Sequence, residues 1–213
     1  MKSIIEIMEE KLPNIDDLSE KQQAVARSAL ILFSQKGFHQ TSTKDIASHA
    51  NVSEGTVYKH FQNKENLLFG IILPLFKEFV IPVVLEDMYQ STEAANQHPF
   101  YSLLEKIVRN RIAFAQQNKE IIMVFAREIV FREEFKNSMH DFISVKATAK
   151  FQPVIQAYID KGELKNIDPR QITYFIFVNV FGTVLPALLF DKEITEATIQ
   201  QLIDFIHDGL RPR

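Results

Sequence analysis

"TSTKDIASHANVSEGTVYKHFQNKENLL", Thr41 to Leu68, holds several helix-starting residues within one short stretch. Thr43 is placed to cap a short helix running through Ala50, Ser53 a second through Phe61, and Asn63 a third that starts at Lys64. Ile46, Ala47 and Ala50 share one apolar face, Val52 lies just past the turn, and Val57 and Phe61 form the inner face of the next helix. Two short helices joined by a tight turn and crossing at small Ala47 make a helix-turn-helix. Asn51 stands in the turn where glycine is common, and asparagine is the next residue most tolerant of left-handed backbone.

Upstream, Ser19 with Gln22 forms a capping box, Ala26, Ala29, Leu30 and Phe33 recur at helical spacing, and Gly37 supplies a stop. This predicts a helix over Ser19 to Lys36. The block is also the basic part of the chain. Net charge is -3 overall, made of -3 in residues 1–18, +3 in residues 19–64 and -3 in residues 65–213. A basic module on an acidic body points to a local polyanion contact. On a wheel anchored by Val57 and Phe61, Gly55 and Lys59 point away, flanked by Thr56 and Tyr58. In a helix-turn-helix this face enters the major groove, while Thr43, Lys44, Ser53 and Lys64 at neighbouring helix starts hold phosphates. Lys64 is read as a phosphate contact, because a cation in a first helical turn opposes the helix dipole. His60 falls nearer the inner face and is assigned to packing or a phosphate. Glu54 is assigned to its own helix start, and His39 and His49 to solvent.

The longer stretch "GFHQTSTKDIASHANVSEGTVYKHFQNKENLL" resembles the DNA-binding domain of the TetR/AcrR family of bacterial transcriptional regulators. Gly37-Phe38, Thr43 before Ile46-Ala47, Val52-Ser53, Gly55-Thr56, Tyr58, Phe61 and Asn63-Lys64-Glu65 match that pattern in order and spacing, with Asn51 a departure from the usual glycine. The resemblance covers about a quarter of the chain. It implies an all-α protein with an N-terminal three-helix helix-turn-helix domain and a larger C-terminal helical domain for effector binding and dimerisation.

The rest of the chain is consistent with that. Helical patterns run over about 64–90, 99–117, 119–131, 132–162, 169–190 and 195–210, so residues 19–65 form the head and 66–213 the body. "YFIFVNVFGTVLPALLF", Tyr174 to Phe190, is apolar around its whole circumference, which requires burial on all sides or a membrane. Seventeen residues with Asn179, Gly182 and Pro186 inside make a poor span, and burial by a second copy of the chain is the reading adopted. With Ile199, Leu202 and Ile206 of the last helix, Phe181, Gly182 and Leu185 are assigned to a four-helix homodimer interface. In the family, the body encloses a small-molecule pocket. The resemblance therefore implies an apolar or amphipathic effector, with Ala113, Phe114, Phe125, Phe151 and Phe175 as lining and Arg109, Arg127, His140, Tyr158 and Asn179 as polar intruders. The alternative for each polar residue is a satisfied buried pair. Residues 1–18 are an extension in which Ile4, Met8 and Leu12 share one helical face, expected to pack on the body or on a partner subunit.

No Cys is present, no glycine-rich phosphate loop, no His pair at metal spacing and no triad setting, so the sequence reads as no enzyme and calls for no cofactor or metal. The N-terminus lacks the basic end and continuous apolar core of an export signal, and a cytoplasmic location is expected. The function read is a homodimeric repressor that binds a double-stranded operator with two related half-sites and is released by a small ligand. A helical interaction protein and a ligand-independent DNA-binding protein are the alternatives.

Overall fold

Ser3 starts the first helix with a capping box: its hydroxyl accepts from the Glu6 amide while the Glu6 carboxylate accepts from the Ser3 amide. The helix, α1 (Ile4–Lys11), belongs to a computed structural model that describes residues 2–12, 18–72, 98–131 and 147–212, with 74, 81–83, 85–86, 89, 137 and 145 between them, and the backbone alone at 71 and 127–131. The other described helices are α2 (Glu20–Lys36), α3 (Thr43–His49), α4 (Glu54–Phe61), α5 (Lys64–Leu67), α6 (Phe100–Gln117), α7 (Lys119–Phe131), α8 (Thr148–Asp160), α9 (Pro169–Leu189) and α10 (Glu196–Leu210). A π-helical turn, Leu68–Ile72, follows α5 directly. The described residues contain no strand, and the fold is all-α.

The chain divides into two compact units, Met1–Val83 with Asn118–Glu128, and Val84–Gln117 with Ile129–Arg213. In the first unit α1 packs against α2, α2 against α3, and α3 against α4. Ile4, Ile7, Met8 and Leu12 are each 2% exposed or less. The amide of Ile4 donates to Oδ1 of Asn118, 2.7 Å away and itself buried. The N-terminal extension is therefore part of the head's own core, along with Ile121, Val124 and Phe125 of α7. Residues 118–128, assigned to the body from the sequence, fall in the same unit as the head, and the Ile4–Asn118 bond lies within that unit.

In the second unit α9 packs against α8, α6 and α10. Val180, Val184 and Leu188 face inward at four-residue spacing, whereas Tyr174, Phe175, Val178, Phe181, Gly182 and Leu189 are exposed. The helix is long and apolar enough to cross a membrane by length and composition, but one flank is packed by protein and the other is an open apolar stripe. On α10, Leu202, Ile203, Ile206 and Leu210 are buried within the chain and Phe205 is 69% exposed. This corrects the assignment of Leu202 and Ile206 to an outer surface: they hold α10 onto its own unit, and Phe205 takes the outward place. Ile199 and Leu185 are half-buried.

Candidate nucleic-acid interface

The head is ordered by local caps. Ser42 caps α3, one residue earlier than Thr43, which becomes the first helical residue. The Asp45 carboxylate accepts from the Ser42 amide at 2.9 Å and its hydroxyl at 2.8 Å, and pairs with Lys36 at 3.0 Å. These bonds, led by the backbone one, pull the exposed Asp45 carboxyl down to about 2. Ser53 caps α4 through the Thr56 amide, and Asn63 caps α5 through the Asn66 amide. Between α3 and α4 the turn closes through the Val52 amide on the Ala47 carbonyl at 3.0 Å, and Asn51 takes φ 55°, the left-handed conformation expected of it.

This turn buries Ile46 and Ala47 of α3 against the side of α4 that carries Val57 and Phe61. The opposite side of α4 is open: Gly55, Tyr58, Lys59 and His60 are exposed and Thr56 is half-buried. His60 is thus on the outside, which goes against the packing alternative and leaves the phosphate one, because the inner face is already filled by Val57 and Phe61. At the start of α3, Lys44 is exposed, and the Thr43 hydroxyl donates to the Glu54 carboxylate at 3.2 Å and lies 3.4 Å from the Tyr58 hydroxyl. Thr43, Glu54 and Tyr58 form one polar cluster where α3 meets α4. His49 is also exposed, and its Nδ1 is 3.0 Å from Oγ of buried Ser28 on α2, a link absent from the solvent assignment.

Lys64 departs furthest from its sequence reading. Its ammonium donates to the carbonyls of Phe38 at 2.8 Å, Thr41 at 3.1 Å and His39 at 3.4 Å, and sits 4.5 Å from the Phe38 ring centroid. The cation in the first turn of α5 has a structural explanation after all: carbonyl dipoles of the α2–α3 loop offset the unfavourable helix end.

Residues 26–71, which contain this arrangement, match the family described as "Bacterial regulatory proteins, tetR family". Those residues are a TetR-type helix-turn-helix segment, and curated relatives that cover most of this chain are named as helix-turn-helix transcriptional regulators. Among proteins the chain is similar to is the HTH-type transcriptional regulator RutR of Escherichia coli strain K12, 23% identical, with 92% of this chain and 93% of the relative covered. The transcriptional regulator FadR from Bacillus subtilis, solved in complex with stearoyl-CoA, has a TM-score of 0.63 at 22% identity, covering 87% of this chain and 97% of that one. A TetR transcription regulator from Haloarcula marismortui has a TM-score of 0.66 at 14% identity, covering 91% and 99%. At these identities the two structures share the TetR fold and carry no further assignment.

Of the residues expected to line an effector pocket, several have partners within their own unit. Arg109 pairs with Glu196 through two bonds of 2.9 and 2.6 Å and with Glu105 at 2.9 Å, tying α6 to α10; the Glu196 carboxylate is the leading cause of its raised pKa. Tyr158 is fully buried, donates to the His98 carbonyl at 3.1 Å and packs edge-on against Phe100, as a core tyrosine does. Asn179 donates to the Phe175 carbonyl one turn back at 2.8 Å. Phe175 and Ala113 are exposed, Phe114 is half-buried beneath the Arg111 guanidinium, Phe125 is buried in the first unit, and Phe151 is buried in the second. His140 and the Arg127 side chain lie outside the described residues.

Proposed function

We propose that this chain is a homodimeric repressor whose α4 enters the major groove of a double-stranded operator with two related half-sites. The observation that carries the reading is the two-sided build of α4: Val57 and Phe61 buried, Gly55, Lys59 and Tyr58 open, with Tyr58 51% exposed. Gly55 supports it. A β-carbon there would meet only Ser53 Oγ at 3.8 Å, so nothing within the chain requires a helix-weakening glycine, whereas close approach of DNA does. Gly55, Thr56 and Lys59 lie toward base edges; Thr43, Lys44, Ser53, Tyr58 and His60 lie toward phosphates. Selecting genomic fragments on the purified protein tests the reading. Thr56→Ala and Lys59→Ala should then each relax preference at particular base pairs, by about 1 to 3 kcal/mol per lost contact. Uniform weakening across all sequences would overturn their assignment as base readers.

The dimer rests on the open stripe of α9 and on Phe205, which two copies cover by a two-fold axis. Release by an apolar or amphipathic effector rests on the likeness to FadR, whose complex holds stearoyl-CoA; long-chain acyl-CoA is therefore the first class to try. Because ligand and DNA must weaken each other equally, stearoyl-CoA should raise the melting temperature of the free protein and lower operator affinity by a coupling of about 1 to 3 kcal/mol. Stearate and CoA alone serve as the comparisons in a thermal-shift series followed by gel shifts. Stabilising compounds that leave operator binding untouched would favour a ligand-independent regulator.

A further inference from the structure

Eight residues are too few for a helix to persist alone in water, so α1 is helical because it is docked. Ile4, Ile7, Met8 and Leu12 close its inner side, and it packs against α2. The Ser3–Glu6 box holds its first turn and leaves the Ile4 amide to find an acceptor outside the helix, as first-turn amides must. That acceptor is Oδ1 of Asn118, 114 residues away in sequence, on a side chain only 4% exposed. Asn118 also starts α7, since its own carbonyl accepts from the Ile122 amide at 3.0 Å. It stands at a junction of the chain: α6 ends at Gln117 in the second unit, and the first unit resumes at Asn118.

We propose that α1 is a strap on this junction: through the Ile4–Asn118 bond it ties the helix-turn-helix to the point where the chain returns from the second unit, and so sets the separation at which the two heads of a dimer meet their half-sites. The proposal rests on the reading of α4 and of the dimer given above, and adds the N-terminal helix to it. The bond is made by buried groups and flanked by apolar ones, Ile4 and Met8 on α1 and Ile121, Val124 and Phe125 on α7. Detaching α1 would unwind it, take the Ile4 donor from the buried Asn118 side chain and wet its apolar face in one step. Docked and unwound are therefore its two states. Residues 1–18 carry a net charge of -3, which DNA repels, so the strap acts on binding through position and not through contact. Asn118 is on this account a positioning residue.

Ile4→Pro removes the donor. Proline suits the first position of a helix, Ser3 at ψ 161° already has the extended backbone that a following proline favours, and the Ser3–Glu6 box does not use the Ile4 amide. Ile4→Ala is the control, which keeps the amide and gives up the apolar side chain, and Asn118→Ala removes the acceptor. Full-length variants are compared by gel shift on a single half-site, on the selected operator, and on operators whose half-sites are moved one or two base pairs nearer or further apart. Circular dichroism sets a temperature at which each is folded. Ile4→Pro and Asn118→Ala should bind the single half-site as Ile4→Ala does. On the selected operator they should lose about tenfold and discriminate less between spacings, because a loosely held head lowers the effective concentration at the right separation and raises it at the wrong ones. The double variant should lose no more than either alone, since both changes remove one bond. Unchanged spacing preference, equal losses on half-site and operator, or additive losses in the double variant would overturn the proposal. Asn118→Ala carries the argument if Ile4→Pro does not fold. If selection yields no operator, the DNA-reading assignment fails, and amide exchange at Ile122 judges the strap alone: faster exchange in Ile4→Pro than in Ile4→Ala keeps it as a brace of α7, and equal exchange removes it.

Discussion

Phe205→Asp is expected to leave the subunit folded and convert a dimer into a monomer. Phe205 stands outward on α10, between Asp204 and Asp208, while Leu202, Ile203 and Ile206 fasten the helix to its own unit. A carboxylate at that position costs the isolated subunit little, since it replaces an exposed aromatic ring with a solvated group. In a two-fold interface the same change buries two unpaired charges, at about 3 to 5 kcal/mol for each that finds no partner. Phe181→Asp, on the open stripe of α9, should act alike. Sedimentation equilibrium at micromolar concentration reads the result, and gel shifts should show operator affinity falling to that of a single half-site. Leu202→Asp is the wrong experiment, because a buried core position would unfold the subunit first. A dimer that persisted in both Phe205→Asp and Phe181→Asp would remove the interface from this face.

The second large effect concerns α1. Met8 is fully buried, as are Ile4, Ile7 and Leu12 on the same helix, and Met8→Asp places a charge on that apolar face. Destabilisation of about 3 to 5 kcal/mol is expected in a urea melt of the full chain, unless α1 detaches first and limits the loss to its own docking energy. Met8→Leu, a near-isosteric change, should cost less than about 1.5 kcal/mol. Amide exchange at Ile7 and Met8 distinguishes detachment from global unfolding. A melt for Met8→Asp indistinguishable from the unmutated protein would mean that α1 does not belong to the core of the head.

What was legible in the sequence follows the range over which each interaction acts. Ser19, Ser53 and Asn63 were readable as caps because a cap bonds an amide two or three residues away. Asn51 was readable because left-handed backbone favours few side chains. Thr43 was displaced by Ser42 by one residue, since both hydroxyls precede the same apolar pattern and only Ser42 has Asp45 three residues on to complete the box. Lys64 could not be read, because its partners lie 23 to 26 residues away in a loop. The amphipathic face of residues 4–12 was visible, but which surface covers it depended on buried Asn118, more than a hundred residues downstream. The aromatic positions failed for a different reason. Helical spacing tells which residues share a side and not which side is inward, so Phe151 and Phe175 look alike in sequence and part company in the fold. The same ambiguity placed Leu202 and Ile206 outside in place of Phe205.

The π-helical turn at Leu68–Ile72 has a consequence for how the chain length can vary. An α-helix closes its bonds over four residues and a π turn over five, so this segment holds one residue more than the helical path needs. The surplus sits beside Gly70, around which a β-carbon would meet nothing within 4 Å. Losing a single residue there would let the turn relax to ordinary α-helix while the buried sides at Leu67 and Ile72 keep their facing. The same loss inside α2 would rotate every following side chain by about 100° and turn its apolar stripe toward water. The segment just after Lys64 is therefore a slack point in an otherwise fixed register, where the gene can shed a codon and the protein keep its core.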